Sequence, residues 1–182
     1  MTITELIASC KKNDRVSQGL LFERFKDELY LTSLKYCRNE AEAEDNLHDS
    51  FVTIFQTIKK YKGTGSFEGW MKRITINKAI DKYKHNKSTP YNLNDNLADE
   101  DPINWRESGV SLDDILRSIQ ELPDQYRLVF NLYQLDAYSH KEIAGMLDIS
   151  EGTSRSNFHR AKALLKEKIL QTMQNQNQMA SP

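Results

Sequence analysis

Cysteine is scarce in this 182-residue chain. Cys10 and Cys37 are the only two, and their spacing matches no metal or redox motif. They read as thiols of a reducing, cytosolic compartment rather than as a disulfide. Four prolines and seven glycines are too few for a turn-rich sandwich, a collagen or a Pro-rich linker protein. No apolar run approaches the roughly 18 residues that a membrane span needs. Glu5, Lys11 and Lys12 interrupt the N-terminus where a signal-peptide core would lie. The four histidines, His48, His85, His140 and His159, are scattered; no H-E-x-x-H occurs, and no Gly-rich phosphate loop follows a strand. The expectation is a soluble, intracellular chain with no catalytic residue, no metal ligand set and no cofactor.

What is present is helical periodicity and segregated charge. At 38% hydrophobic the chain can fold as one domain or two small ones, each half burying about 60% of its unfolded surface. The formal charge of −1 conceals a division. Residues 59–87 hold nine Lys and Arg against only Glu68 and Asp81, and residues 88–114 hold seven Asp and Glu against only Arg106. This fits a polyanion-binding face beside an acidic segment, and equally a solvated lysine face beside a solvated spacer.

The apolar period predicts helices throughout and no strand. A short helix covers residues 3–12, and a turn follows at Asn13-Asp14-Arg15. Ser17 is placed to cap a long helix with Leu20, Leu21, Phe25, Leu29 and Leu34 inward. A third helix over 40–60 carries Leu47, Phe51, Ile54, Phe55 and Ile58 on one stripe. Two glycines make 62–66 a loop. A fourth helix begins near Phe67 with Trp70, Met71 and Ile74 on its apolar face. Continued, that face reaches Asn77 and Asp81, which implies either an internal hydrogen-bond network or, for Asn77, a DNA contact. Residues 88–110, with Pro90, Pro102 and Gly109, read as a linker. Helix resumes at 111 with Leu112, Ile115, Leu116 and Ile119, and Pro123 opens a further helix with Leu128, Val129 and Leu132. The Gln- and Asn-rich tail from Gln171 is expected to fray. The fold class is therefore all-α: two small helical domains joined by an acidic linker.

Residues 138–168 give the most specific local signal. Ser139 and Glu142 form an S-x-x-E capping box before Ile143, Ala144 and Leu147. Asp148-Ile149-Ser150 is a three-residue turn whose Ser150 caps the next helix. Helix, three-residue turn and helix are the spacing of a helix-turn-helix. On the second helix Ser154, Phe158, Ala161 and Leu165 share one side, while Gly152, Arg155, Ser156 and His159 project opposite, with Arg160 at the flank. An ordinary helical hairpin with a charged face is the alternative. A second signal is the basic fourth helix beside Tyr61, Phe67, Trp70 and Tyr83, since single strands are held by cationic grooves with aromatic platforms. Phe67 and Trp70 suit the core better; Tyr61 and the 63–66 loop are better placed to meet a base.

Three stretches carry a family resemblance: EAEDNLHDSF at 42–51, FEGWMKRITINKAID at 67–81, and Leu122-Pro123 onward through YSHKEIA at 138–144 to EGTSRSNFHRAK at 151–162. Together they resemble the extracytoplasmic-function (ECF) sigma factors of the sigma-70-type family of RNA polymerase specificity subunits. The resemblance implies region 2 over 1–87, a linker over 88–110 and region 4 over 111–182. It implies binding to the clamp and flap of core RNA polymerase, promoter reading and duplex melting, without covalent chemistry. Clamp contacts would fall to Asp45, His48, Asp49 and Phe51. The −10 element would meet Tyr61, Lys62, Gly63, Thr64, Ser66, Lys72, Arg73, Asn77, Lys78, Lys82 and Lys84. The −35 element would meet Gly152, Thr153, Arg155, Ser156, His159 and Arg160. An anti-sigma factor is a further implied partner, and residues 95–101 would thread a basic channel in the polymerase. The chain departs from the family pattern at His48-Asp49, usually Gln-Glu; at Ser154, commonly Val; and at Asn157, often basic. The last change would remove one phosphate contact. A stand-alone helix-turn-helix regulator is the competing reading, and it requires tight duplex binding without polymerase.

Overall fold

The computed structural model describes residues 1–85 and 110–179, with side chains to 175. Residues 88–109 of the acidic linker, with the 95–101 segment, lie outside the described residues. The chain divides into two compact units, Met1–Lys82 and Tyr83–Pro182. The described residues are helical, with no strand among them.

The first unit contains α1 (Ile3–Lys11), α2 (Arg15–Tyr36), α3 (Glu40–Thr57), which tightens into a 3₁₀ turn at Ile58–Lys60, and α4 (Phe67–His85), whose last turn passes the division. Each start has a local cause. Thr2 and Glu5 form a capping box at α1, and Asn39 Oδ1 accepts the Glu42 amide, 2.9 Å away, at α3. The α2 cap is Asp14, not Ser17: Asp14 Oδ2 accepts the Ser17 amide at 2.8 Å, and Ser17 is buried inside the first turn. Leu21 and Leu29 join Leu6, Cys10, Leu47, Phe51, Ile54, Ile58, Phe67 and Met71 in the core. Burying such a side chain contributes about 1.5–3 kcal/mol. Leu20 is 48% exposed, because the buried row steps by four from Ser17 through Leu21 to Leu29 and leaves it aside.

The polar network expected on α4 sits elsewhere. The buried row of α4 turns through Met71, Thr75, Ile76, Ala79 and Ile80, so Asn77 and Asp81 continue only its flank and are exposed. The buried amide is Asn46 of α3. Its Nδ2 donates to Ser33 Oγ of α2 (3.1 Å) and to the Thr75 carbonyl of α4 (3.2 Å). One side chain thereby ties three helices together, in surroundings where an unmade hydrogen bond is costly.

The described part of the second unit contains α5 (Leu112–Gln120), α6 (Asp124–Phe130) running into a π turn at Asn131–Leu135, α7 (His140–Leu147) and α8 (Glu151–Met179). Ser111 caps α5, and Pro123 occupies the cap position just before α6. Arg127 is buried. Its guanidinium donates to the Gln120 and Leu122 carbonyls, each at 3.0 Å, and to Asp124 at 2.6 Å, closing the end of α5. Tyr126, Leu128, Val129, Leu132, Ile143, Leu147, Leu165 and Ile169 fill the core. The helix α8 runs past Gln171 to Met179. Ile169 anchors it in the core, and glutamine is a fair helix former.

Candidate nucleic-acid interface

Asp45, His48 and Asp49 lie exposed on the outer side of α3. Phe51 does not join them. It falls on the inward stripe between Leu47 and Ile54, is 3% exposed, and its ring lies 4.7 Å from that of Phe22. Its assignment as a surface contact is therefore corrected: Phe51 supports the helix from inside. Asp49 is 2.9 Å from Lys82, so a residue expected to meet protein and one expected to meet DNA form an ion pair.

Lys62, Gly63, Thr64, Gly65 and Ser66 form an exposed loop ahead of α4. Gly63 and Gly65 both have φ of +79°, the left-handed region that favours glycine. Ser66 Oγ accepts the Gly69 amide at 2.9 Å and so caps α4. A Cβ on Gly69 would stand 2.9 Å from that hydroxyl, so a larger residue there would have to displace it. Tyr61 is half-buried against Phe67 and Trp70, with ring centroids at 5.0 and 5.5 Å. Along α4, Arg73 and Asn77 are exposed, while Lys72, Lys78, Lys82 and Lys84 are half-buried. Lys72 pairs with Glu28 at 2.6 Å and Glu68 at 3.4 Å; its hydrogen bond to Glu28 raises its pKa above the usual 10.5, so it carries full charge at neutral pH.

The helix-turn-helix follows the spacing read from sequence. At α7 the Ser139 amide donates to Glu142 Oε2 (2.8 Å) and the Glu142 amide to Ser139 Oγ (3.3 Å). Asp148 ends α7 in the left-handed conformation, φ 56°, which Asp tolerates better than most residues. Ser150 Oγ then accepts the Thr153 amide at 2.9 Å and starts α8. On α8 Gly152, Arg155 and His159 are exposed and Thr153, Ser156 and Arg160 half-exposed; Ser154, Asn157, Phe158 and Ala161 are buried. Asn157 is thus an interior residue and not part of the outer face.

Residues 21–89 match the family described as Sigma-70 region 2, and residues 112–165 match Sigma-70, region 4. The chain belongs to the sigma-70 family. The two matches together span about two thirds of it, in the order that the helices require. Similar relatives include the ECF RNA polymerase sigma factor SigW of Bacillus subtilis, 27% identical over 93% of this chain and 97% of the relative. The ECF RNA polymerase sigma-E factor of Escherichia coli K12 is 25% identical over 93% of this chain and 95% of its own length. The sigma factor RpoE from Bartonella quintana, solved in complex with the anti-sigma factor NepR, shares the fold: TM-score 0.51, 14% identity, 83% of this chain and 95% of that one. The protein is accordingly an RNA polymerase sigma factor of the ECF type, a transcription initiation factor whose region 4 holds the helix-turn-helix. No helix among the described residues is long and apolar enough to cross a membrane.

Two features of this sigma factor escape a sequence reading. His140, at the start of α7, is buried, stacks on Tyr133 (centroids 4.2 Å apart) and shares a 2.9 Å hydrogen bond through Nδ1 with Ser154 Oγ of α8. Ser154 is therefore a polar tie between the two helices, and Phe158, packed on Phe130 and Tyr133, supplies the apolar anchor. Burial, then the Arg155 charge, lowers the His140 pKa below its usual 6.5, which keeps the ring neutral for this bond. The second feature is Lys11, whose ammonium donates to the Tyr61 carbonyl at 2.8 Å.

Proposed function

We propose that this sigma factor binds core polymerase, reads a promoter through two separated sites and promotes melting without covalent chemistry of its own. The exposed side of α3, with Asp45, His48 and Asp49, would meet basic residues of the clamp. The 61–66 loop, with Arg73, Asn77 and the half-buried lysines of α4, would engage the −10 element. Gly152, Thr153, Arg155, Ser156, His159 and Arg160 would enter the −35 major groove, with the second unit also meeting the flap. This assigns residues 1–87 to region 2, 88–110 to the linker and 111–182 to region 4. The setting would be the cytoplasm, with an anti-sigma factor as regulator.

The observation that carries this reading is the two-sidedness of α8. Its N-terminal turns bury Ser154, Asn157, Phe158 and Ala161 and leave Arg155 and His159 outside, as a major-groove recognition helix requires. A bidentate arginine contact to guanine discriminates by about 1–3 kcal/mol, while flipping a base costs a few kcal/mol, so sequence would be read both before and during melting. The test is run-off transcription with core polymerase on a genomic fragment library, repeated with Arg155→Ala and Asn77→Ala. Promoter-specific transcripts that each variant weakens support the reading. Tight specific duplex binding by the chain alone, with no effect on start sites, would favour a stand-alone regulator.

A further inference from the structure

A cleft of about 440 Å³ opens in the first unit between α1 and the 61–66 loop. Ile3 and Ile7 of α1 line one part of it, Tyr61 and Phe67 another, and Lys11 and Lys62 border it as well. Its size falls within the roughly 300–1,000 Å³ typical of small-ligand sites. One of its lining residues, Tyr61, is held by three hydrogen bonds. The Tyr61 amide donates to Ile58 O (3.1 Å), its hydroxyl donates to Gly65 O (2.8 Å), and its carbonyl accepts Lys11 Nζ (2.8 Å). The first two bonds are local; the third spans fifty residues and is the contribution of α1. The ammonium also lies 5.9 Å from the centre of the Tyr61 ring. The Sigma-70 region 2 match begins at residue 21, so α1 lies outside it.

We propose that Lys11 is a positioning residue for base capture, and that α1 completes a pocket for one unstacked nucleobase of single-stranded promoter DNA. The proposal rests on the reading of the 61–66 loop as part of the −10 site and adds a second wall to it. A base is a flat π-system on a charged backbone, so it needs apolar or aromatic surface around the ring and a cation for the adjoining phosphate. Ile3, Ile7, Tyr61 and Phe67 provide the former, and the exposed Lys62 the latter. Lys11 is half-buried and spends its charge on a carbonyl, which suits it to hold the pocket's shape rather than to grip phosphate. The loop needs this restraint because Gly63 and Gly65, in left-handed conformations with open space around each Cα, leave it few side-chain anchors of its own.

The test uses holoenzyme assembled from core polymerase and the full chain, on fork templates in which each non-template −10 base is replaced in turn by an abasic site. Wild type is expected to lose open-complex stability about tenfold at one position, the scale of one base–aromatic stack. Lys11→Ala should shrink that penalty to about twofold while leaving dependence on the −35 duplex intact, and Lys11→Arg, which keeps a donor, should restore it. Ile7→Trp leaves the Lys11 bond in place but fills the cleft, and it should make the complex indifferent to the abasic site. Equal losses at every position in Lys11→Ala would reveal mere structural damage and overturn the proposal, as would an unchanged base dependence in both Lys11→Ala and Ile7→Trp. If wild type shows no position-specific penalty, the loop reading fails as well; if wild type shows one and the variants keep it, only the role of α1 fails.

Discussion

In the second unit the helix ends around the turn are set by neighbours: Ser139 with Glu142, Asp148 by its own backbone, Ser150 with Thr153; the one longer tie described between the two helices, His140 to Ser154, spans fourteen positions. In the first unit the helix starts are capped locally too, but the helices are joined to one another over longer separations. Asn46 reaches Ser33 and Thr75, thirteen and twenty-nine positions away, and Lys11 reaches Tyr61 across fifty. A recognition helix needs only to project a few side chains from a firm base, which short-range capping secures. A pocket for a strand needs walls from separate helices, which only tertiary contacts supply. The same contrast governs how each unit should fail: the first by collapse of a shared network, the second by loss of one cap or one contact at a time.

The largest expected effect follows from that network. Asn46→Ala should destabilise the first unit by about 2–4 kcal/mol, because it leaves a cavity and strips a partner from Ser33 and Thr75. Hydrogen exchange resolved by residue would show α2, α3 and α4 opening while α7 and α8 keep their protection; equal loss in both units would break the comparison. Next, Arg155→Ala should reduce transcription that depends on the −35 element about tenfold, the equivalent of about 1.4 kcal/mol, within the range of about 1–3 kcal/mol for one bidentate arginine contact. Its ion pair with Glu151 is well exposed, so the change should barely move thermal stability. Ser150→Ala should cost about 1 kcal/mol in chemical denaturation, confined to the second unit.

The smallest effect concerns pH. The His140 ring is held below its usual 6.5 by burial, then by Arg155, with His159 in the same sense and Glu151 opposing. The unfolded chain takes up a proton near that value which the folded chain resists. Stability is therefore full above pH 6.5 and declines as the pH falls through it. The second unit should melt at a modestly lower temperature at about pH 5.5 than at about pH 7.5, and His140→Gln should flatten that difference.

Legibility in sequence follows the same division. The capping box, the three-residue turn and the outward set at Arg155 and His159 were all readable, because they depend on spacing within a few residues. The helices of the first unit were readable too, but not which way α4 faces. Its buried row turns toward Thr75, Ile76 and Ala79, a rotation imposed by packing, and that puts Asn77 in water and gives the polar network to Asn46. Phe51 was legible as core from its stripe; the family resemblance alone placed it on the surface. Neither the Lys11–Tyr61 bond nor the His140–Ser154 tie has a local pattern to announce it.

The central claim is that two helical units of one sigma factor divide a promoter between them while core polymerase binds both. The most direct measurement is run-off transcription by core polymerase plus the purified chain, on matched templates altered in the −10 element, the −35 element or neither. Specific transcripts are expected only when the chain is added, with loss of start-site choice on the altered −10 template, and on the altered −35 template a loss that Arg155→Ala does not deepen. Transcripts that are indifferent to the chain, or to both alterations, would contradict the central claim.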